Sequence, residues 1–405
     1  MHKRRSNKRK RVKWLNKIIQ SIIFIFTIFS VSNRILAQEI RIDTINSHIY
    51  NSNQIDSLFK KPNCLIGYFP NQTGYLTKID SAGKEAFDTT FTIQHIKIPS
   101  GGVNINGWLY LPLGNEKHPL IILTNGGGNI TKNFRSFPDW VAPILAHCGI
   151  AAFVHDKRGT GESEGNFAKT TYDDYITDAG NCAVFLSKYE KINADIIGVA
   201  GASEGGRIAV IAASRYPEIK FAISFAGTVV SAVDDRIYAQ TSWLKSLNLP
   251  DSAFSEVLEL HKKSIRAWAS NDPKEHDKVN LDIYEMRGKY NAQILPYTKE
   301  EMDSIPDFEF ILSTWYSLPN DYLSEMVHFN KKWLAIFGKD DPVVPTSESV
   351  KNIIHFMALS GNNDYSIAVI PDCGHAPVNI KTKRMIRLDN MIINWINDNI
   401  LNENE

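Results

Sequence analysis

From residue 92 onward, short apolar runs alternate with amphipathic stretches. "TIQHIKI" (92–98) and "NINGWLYL" (104–111), joined through "PSGGV", predict an opening hairpin. Six further runs follow: "PLIILT" (119–124), "IAAFVH" (150–155), "DIIGVA" (195–200), "KFAISFA" (220–226), "WLAIFG" (333–338) and "DYSIAVI" (364–370). They are nearly continuous in apolar residues, as expected of strands buried on both faces of a parallel sheet. Between them lie stretches of helical period. Tyr172, Tyr175, Ile176, Ala179 and Ala183 share one helix face; Val350, Ile353, Ile354 and Met357 share another, and Leu388, Met391, Ile392 and Trp395 a third. Strand–helix alternation of this kind predicts a doubly wound α/β sheet.

Two regions break the rhythm. About a hundred residues separate "FAISFA" from "WLAIFG", far more than a loop of a compact domain uses. Residues 232–331 are rich in helix formers and in aromatics (Tyr238, Trp243, Phe254, Trp268, Tyr284, Tyr290, Tyr297, Trp315, Tyr316), and are read as a helical cap or lid inserted over one end of the sheet. Residues 38–91 are polar, with weak periodicity, and form an N-terminal extension of unassigned role. The core then comprises residues 92–231 and 332–401.

Charge changes the picture at the start of the chain. The formal net charge is +1, but residues 1–37 carry ten Lys or Arg and no Asp or Glu; without them 35 basic residues face 44 acidic ones, a balance of −9. No basic patch suggests nucleic acid as a partner. The basic stretch precedes "IIQSIIFIFTIFSV" (18–31), and "ILAQ" offers the small Ala37 before the polar Gln38. Residues 1–37 therefore read as a cleavable signal peptide, placing the mature protein in the periplasm or outside the cell with no stable membrane span. The alternative is an N-terminal membrane anchor, for which fourteen residues are short against the roughly 20 that span a bilayer. The four cysteines, Cys64, Cys148, Cys182 and Cys373, form no CxxC pair, so no zinc site is expected. The default reading is four buried free thiols; an exported chain could also form a disulfide, whose pairing the spacing does not choose.

The chemistry centres on "GVAGASEGGRIAV" (198–210), where Ser203 sits between Gly201 and Gly205. A G-x-S-x-G between a strand and a helix is a nucleophile elbow, a turn too tight for bulky neighbours that presents the serine at the carboxyl end of the strand. Such a serine needs a base and an orienting acid, in the chain order Ser, Asp or Glu, His. "FGKDDPVVP" and "PDCGHAPV" each follow a predicted strand, which nominates Asp341 and His375. Asp341 is preferred because Pro342 holds it in extended geometry, with Asp340 as the alternative. Backbone N–H groups must also receive the oxyanion: that of Glu204, next to the serine, and that of Gly127 in "NGGGN".

These residues resemble those of the serine hydrolases of the α/β-hydrolase superfamily, most of all its bacterial esterase and serine-aminopeptidase-like branch. "GIAAFVHDKRGTGESEG" (149–165) resembles that branch's "YDKRGxGxS" segment, "GASEGGRIA" its "GHSEGG" elbow, and "GKDDPVVP" and "CGH" its acid and histidine loops. Asn125 and Ala202 stand where the branch often has histidine. The resemblance implies an α/β-hydrolase fold with a mostly parallel eight-stranded sheet, helices on both faces and a lid. Within "HDKRGTGES", Asp156 and Arg158 are expected to pair or hydrogen-bond to hold the loop, with Gly159 and Gly161 forming its turns.

The expected function is hydrolysis of a carboxylic ester of modest size through an acyl-enzyme, without metal or organic cofactor. Two alternatives stay open: a peptidase or amidase using the same residues, and a non-catalytic binding protein on the same fold. Oligomeric state is not readable from the sequence.

Overall fold

The computed structural model describes residues 48–65, 68–70, 76–79, 85–87, 90–128, 137–270, 272–298, 301 and 322–402. The expected signal peptide, and Trp315 and Tyr316 of the insertion, lie outside them.

Three short antiparallel strands, β1 (Tyr68–Pro70), β2 (Leu76–Ile79) and β3 (Glu85–Phe87), precede the main sheet. That sheet has eight strands: β4 (Phe91–Ser100), β5 (Val103–Pro112), β6 (His118–Thr124), β7 (Ala151–His155), β8 (Ile192–Ala202), β9 (Phe221–Phe225), β10 (Lys332–Gly338) and β11 (Tyr365–Ile370). Their spatial order is β11-β10-β9-β8-β6-β7-β5-β4. The hairpin β4–β5 joins antiparallel to β7, and the six strands from β7 to β11 are mutually parallel. The apolar runs explain this order. β7 and β9 are buried at every position, and β10 at all but its first, as central strands covered on both faces must be. In β4, buried Ile96, Ile98 and Ser100 alternate with exposed neighbours, so this edge strand has one wetted face.

Helices lie between the strands. α1 (Ser52–Leu58), α2 (Phe137–His147) and α9 (Leu388–Ile396) share one apolar cluster in which Val141, Ile144 and Leu145 meet Met391, Ile392 and Trp395. α3 (Tyr172–Leu186) packs on α4 (Glu204–Arg215), and α8 (Thr346–Ser360) follows β10. Among the described residues, the insertion holds three α-helices, α5 (Ala232–Ser246), α6 (Asp251–Ser270) and α7 (Pro273–Arg287). They have an apolar core of their own, with Leu244, Val257, Leu260, Val279 and Ile283 buried.

Part of the N-terminal extension is built into the sheet's far edge. The Tyr50 N–H donates to the Ile367 carbonyl at 2.8 Å, and Asn390 and Asn394 donate their amides to the carbonyls of Phe59 and Leu58. Here the cysteine expectation needs correction. Cys64 and Cys148 form a disulfide with Cα atoms 5.3 Å apart, tying this segment to the residue after α2, while Cys182 and Cys373 are buried and free. The pairing depends on where the extension docks, which the spacing of cysteines does not reveal.

Candidate active site

Because six strands run parallel, their carboxyl ends share one rim, and every loop expected to carry chemistry leaves from it. Ser203 follows β8 and caps α4 with φ 56° and ψ −123°, a backbone region that costs a side-chain-bearing residue about 1–3 kcal/mol. The fold sustains that strain. The Ser203 N–H donates to the Phe225 carbonyl at 2.8 Å, and Thr124 Oγ1 donates to the Gly205 carbonyl at 2.8 Å. Gly201 admits no side chain: a Cβ there would stand 2.2 Å from Thr124 Oγ1 and 2.4 Å from the Gly205 backbone.

Asp341 and His375 reach the same point. The imidazole Nδ1 lies 2.9 Å from Asp341 Oδ2, and Nε2 lies 3.0 Å from Ser203 Oγ. An ionised carboxylate only accepts, so Nδ1 carries the proton and Nε2 is left to accept from the serine hydroxyl. The other oxygen, Asp341 Oδ1, accepts from the backbone N–H groups of Val343 (2.7 Å) and Val344 (2.9 Å), which fixes the carboxylate's plane. Asp341 is buried and His375 partly exposed, so the acid is shielded while the base faces the opening. Asp340 is exposed, and its N–H donates to the Cys373 carbonyl at 3.0 Å. It therefore joins the acid loop to the histidine loop through its backbone. Gly338 permits that approach, since a Cβ there would lie 2.3 Å from the Gly374 carbonyl oxygen. Nothing in the pattern of "WLAIFG" singles out this glycine.

Cys373, two residues before the histidine, brings a thiol to the same rim. Burial, with the charges of Asp341 and Asp340, pushes its thiol up to about 11, so it is protonated at neutral pH.

Gly127 and Glu204 are neighbours: Glu204 Oε2 lies 3.7 Å from where a Gly127 Cβ would be. Asn125 holds the same loop, its Nδ2 donating to the His155 carbonyl at 2.7 Å. In "HDKRGTGES" Asp156 and Arg158 hold the loop by hydrogen bonds to other residues, and Gly159 and Gly161 turn the chain with φ 75° and 53°. Arg158 binds Asp178 with two N–H groups, at 2.6 and 3.0 Å, and donates to the Ser100 carbonyl. Asp156 accepts the Glu162 N–H at 2.9 Å. Lys157, between them, points to the site, 2.5 Å from Glu204 Oε1. The sequence reading missed this pair, because its two residues are 47 positions apart and each alone resembles a solvated charge.

From the insertion, Tyr238 of α5 donates its hydroxyl to the Asp341 carbonyl at 2.9 Å. The other aromatics of that region mostly serve the insertion itself: Phe254 and Tyr290 pack against its apolar core, Trp268 stacks edge-on with His276, and Tyr284 and Tyr297 are exposed.

Residues 115–307 match the family described as serine aminopeptidase, S33. Among solved structures, the Pyrococcus furiosus esterase Pf2001 superposes with a TM-score of 0.50 at 16% identity, over 77% of this chain and 92% of that one, a likeness of fold. An uncharacterised 31.7 kDa protein from the traX-finO intergenic region of Escherichia coli is 31% identical over 146 residues, 34% of this chain. The match spans 49%, about half, of that relative's length. The chain has the α/β-hydrolase fold, with its eight-stranded, mostly parallel sheet.

Proposed function

We propose that this protein is an exported serine esterase that cleaves a carboxylic ester through an acyl-enzyme. One observation carries the reading: the unbroken hydrogen-bonded series from Ser203 Oγ through His375 to the buried Asp341. His375 Nε2 takes the hydroxyl proton as Ser203 Oγ attacks the ester carbonyl. The negative charge that develops on the carbonyl oxygen is received by the backbone N–H groups of Gly127 and Glu204. The tetrahedral species collapses as His375 returns the proton to the departing alcohol, leaving an acyl group on Ser203. Water, activated by the same imidazole, then releases the acid and restores the serine. Asp341 keeps the imidazole in the tautomer that accepts at Nε2 and stabilises it once charged. Helices α5–α7 serve as the lid that shapes the substrate site. The Cys64–Cys148 disulfide supports export, since such bonds persist in oxidising compartments.

A peptidase or amidase reading shares this chemistry, and the match to a family described as serine aminopeptidase favours it. Labelling with a fluorophosphonate, abolished in Ser203→Ala, is the expected result; a folded wild-type protein that never labels overturns the hydrolytic reading in favour of a binding role. Hydrolysis of p-nitrophenyl acetate without release from aminoacyl-p-nitroanilides supports the esterase, and the reverse supports the peptidase.

A further inference from the structure

Resting on the serine-hydrolase reading above, we infer that Lys157 is a positioning residue that holds the two oxyanion donors in register. Its side chain is 2% exposed, and the ammonium is enclosed by two oxygens and two aromatic rings, the more distant being Phe167 with its centroid at 5.6 Å. Glu204 Oε1 lies 2.5 Å away, the Gly126 carbonyl oxygen 3.1 Å away, and the Tyr175 ring lies beneath it with its centroid at 4.3 Å. Both oxygen partners belong to the segments that carry the proposed donors.

The Gly126 carbonyl and the Gly127 N–H are opposite ends of one planar, trans peptide unit. A cation that holds the carbonyl from one side therefore fixes the direction of the N–H on the other. It also polarises the peptide, which strengthens the N–H as a donor. On the second segment, the ammonium holds the side chain of Glu204, whose own N–H is the other donor. One charge thus bridges a loop after β6 and the first turn of α4, which share no covalent connection nearby. The next residue shows that this use of a cation is selective: Arg158 spends its guanidinium on Asp178 of α3 and the Ser100 carbonyl, away from Gly126 and Glu204.

The alternative is that Lys157 and Glu204 merely neutralise each other's buried charge. A neutral pair of similar shape separates the two roles, because replacing both members of a buried ion pair is often neutral for stability whereas removing one is costly. The experiment measures kcat, KM and inhibition by a trifluoromethyl ketone, whose serine-bound hemiketal places an oxyanion in the same site, for wild type, Lys157→Met, Lys157→Gln and the double variant Lys157→Met/Glu204→Gln, each checked by a thermal melt. Expected is a fall in kcat of about 10–100-fold in Lys157→Met and in the double variant, with KM within about twofold. The inhibition constant rises by a similar factor, and Lys157→Gln, which can still donate to one acceptor, loses less. If Lys157→Met fails to fold, the charge-neutral double variant carries the same test. Recovery of wild-type kcat and inhibitor affinity in the double variant overturns the proposal, as does a loss confined to KM. A wild-type protein that takes no fluorophosphonate at Ser203 overturns the underlying hydrolase reading as well. Normal labelling with no effect of Lys157 overturns this inference alone.

Discussion

At the rim of the sheet, Ser203, Asp341 and His375 are held by backbone hydrogen bonds and by glycines that admit no side chain. Helices α5–α7 instead hold one another through apolar side chains, and the two regions meet at Tyr238 on the Asp341 carbonyl. The difference shows where geometry is over-determined. Around the rim, moving one loop strains another: the acid loop is bonded to the histidine loop, and the elbow to the carbonyl end of β9. In the insertion, any set of apolar residues of similar volume would keep the helices together. Chemistry is thus expected to be sensitive to single atoms at the rim and tolerant of change in the insertion.

The sharpest contrast lies between adjacent aspartates. Asp341→Asn leaves a side chain of the same shape but removes the carboxylate that fixes the histidine tautomer, and a fall in kcat of about 10⁴-fold is expected. Asp340→Asn, on an exposed side chain, is expected to stay within about twofold. Steady-state kinetics on one ester would decide, and equal losses in the two variants would remove Asp341 from its role.

A matched pair of core substitutions compares the regions directly. Gly201→Ala forces a Cβ against the Gly205 backbone, an overpacking expected to cost about 1–3 kcal/mol and to displace Ser203. Val257→Ala, at a fully buried position of α6, removes two methyl groups and is expected to cost about 2 kcal/mol. The stability losses are similar, but the activities per folded molecule should part: a fall of at least tenfold for Gly201→Ala against less than twofold for Val257→Ala. If Val257→Ala lowered kcat as much, the insertion would have to be counted as part of the rim.

Much of the rim was legible because its physics is local. Buried parallel strands read as unbroken apolar runs, the elbow needs glycines at fixed offsets, and parallel strands deliver their following loops to one edge. That is why Ser203, Asp341 and His375 could be named from a one-dimensional pattern, and why the structure brings their side chains within 3.0 Å of one another in sequence. What escaped depends on distant segments meeting. The disulfide joins positions 84 apart, and the Lys157–Glu204 pair joins a loop to a helix start. The partner of Arg158 escaped for the same reason. Asp156 is two residues away, but the guanidinium reaches the side chain that α3 brings beside it, Asp178. The aromatics of the insertion were legible only as composition: Phe254 and Tyr290 pack against the insertion's own core, which depends on how its helices meet.

The smallest expected effect tests which rim nucleophile carries the chemistry. Cys373 shares its loop with His375, and alkylation there would crowd the imidazole. Its thiol is held up to about 11 by burial and by the nearby aspartates, and only the thiolate reacts. Relative to an ordinary thiol near 8.5, its thiolate at pH 7.5 is scarcer by roughly 300-fold. Iodoacetamide at that pH should therefore leave activity unchanged over a period that consumes a free thiol completely. The sign of the pH dependence follows from the raised value: the thiolate fraction grows about tenfold per pH unit and levels off only above about 11. Inactivation should track that rise for as long as the protein stays folded, and Cys373→Ser should lose the inactivation while retaining activity. Rapid inactivation at pH 7.5, absent in Cys373→Ser, would show that the histidine loop opens readily, and the rim could no longer be described as the rigid member of the pair.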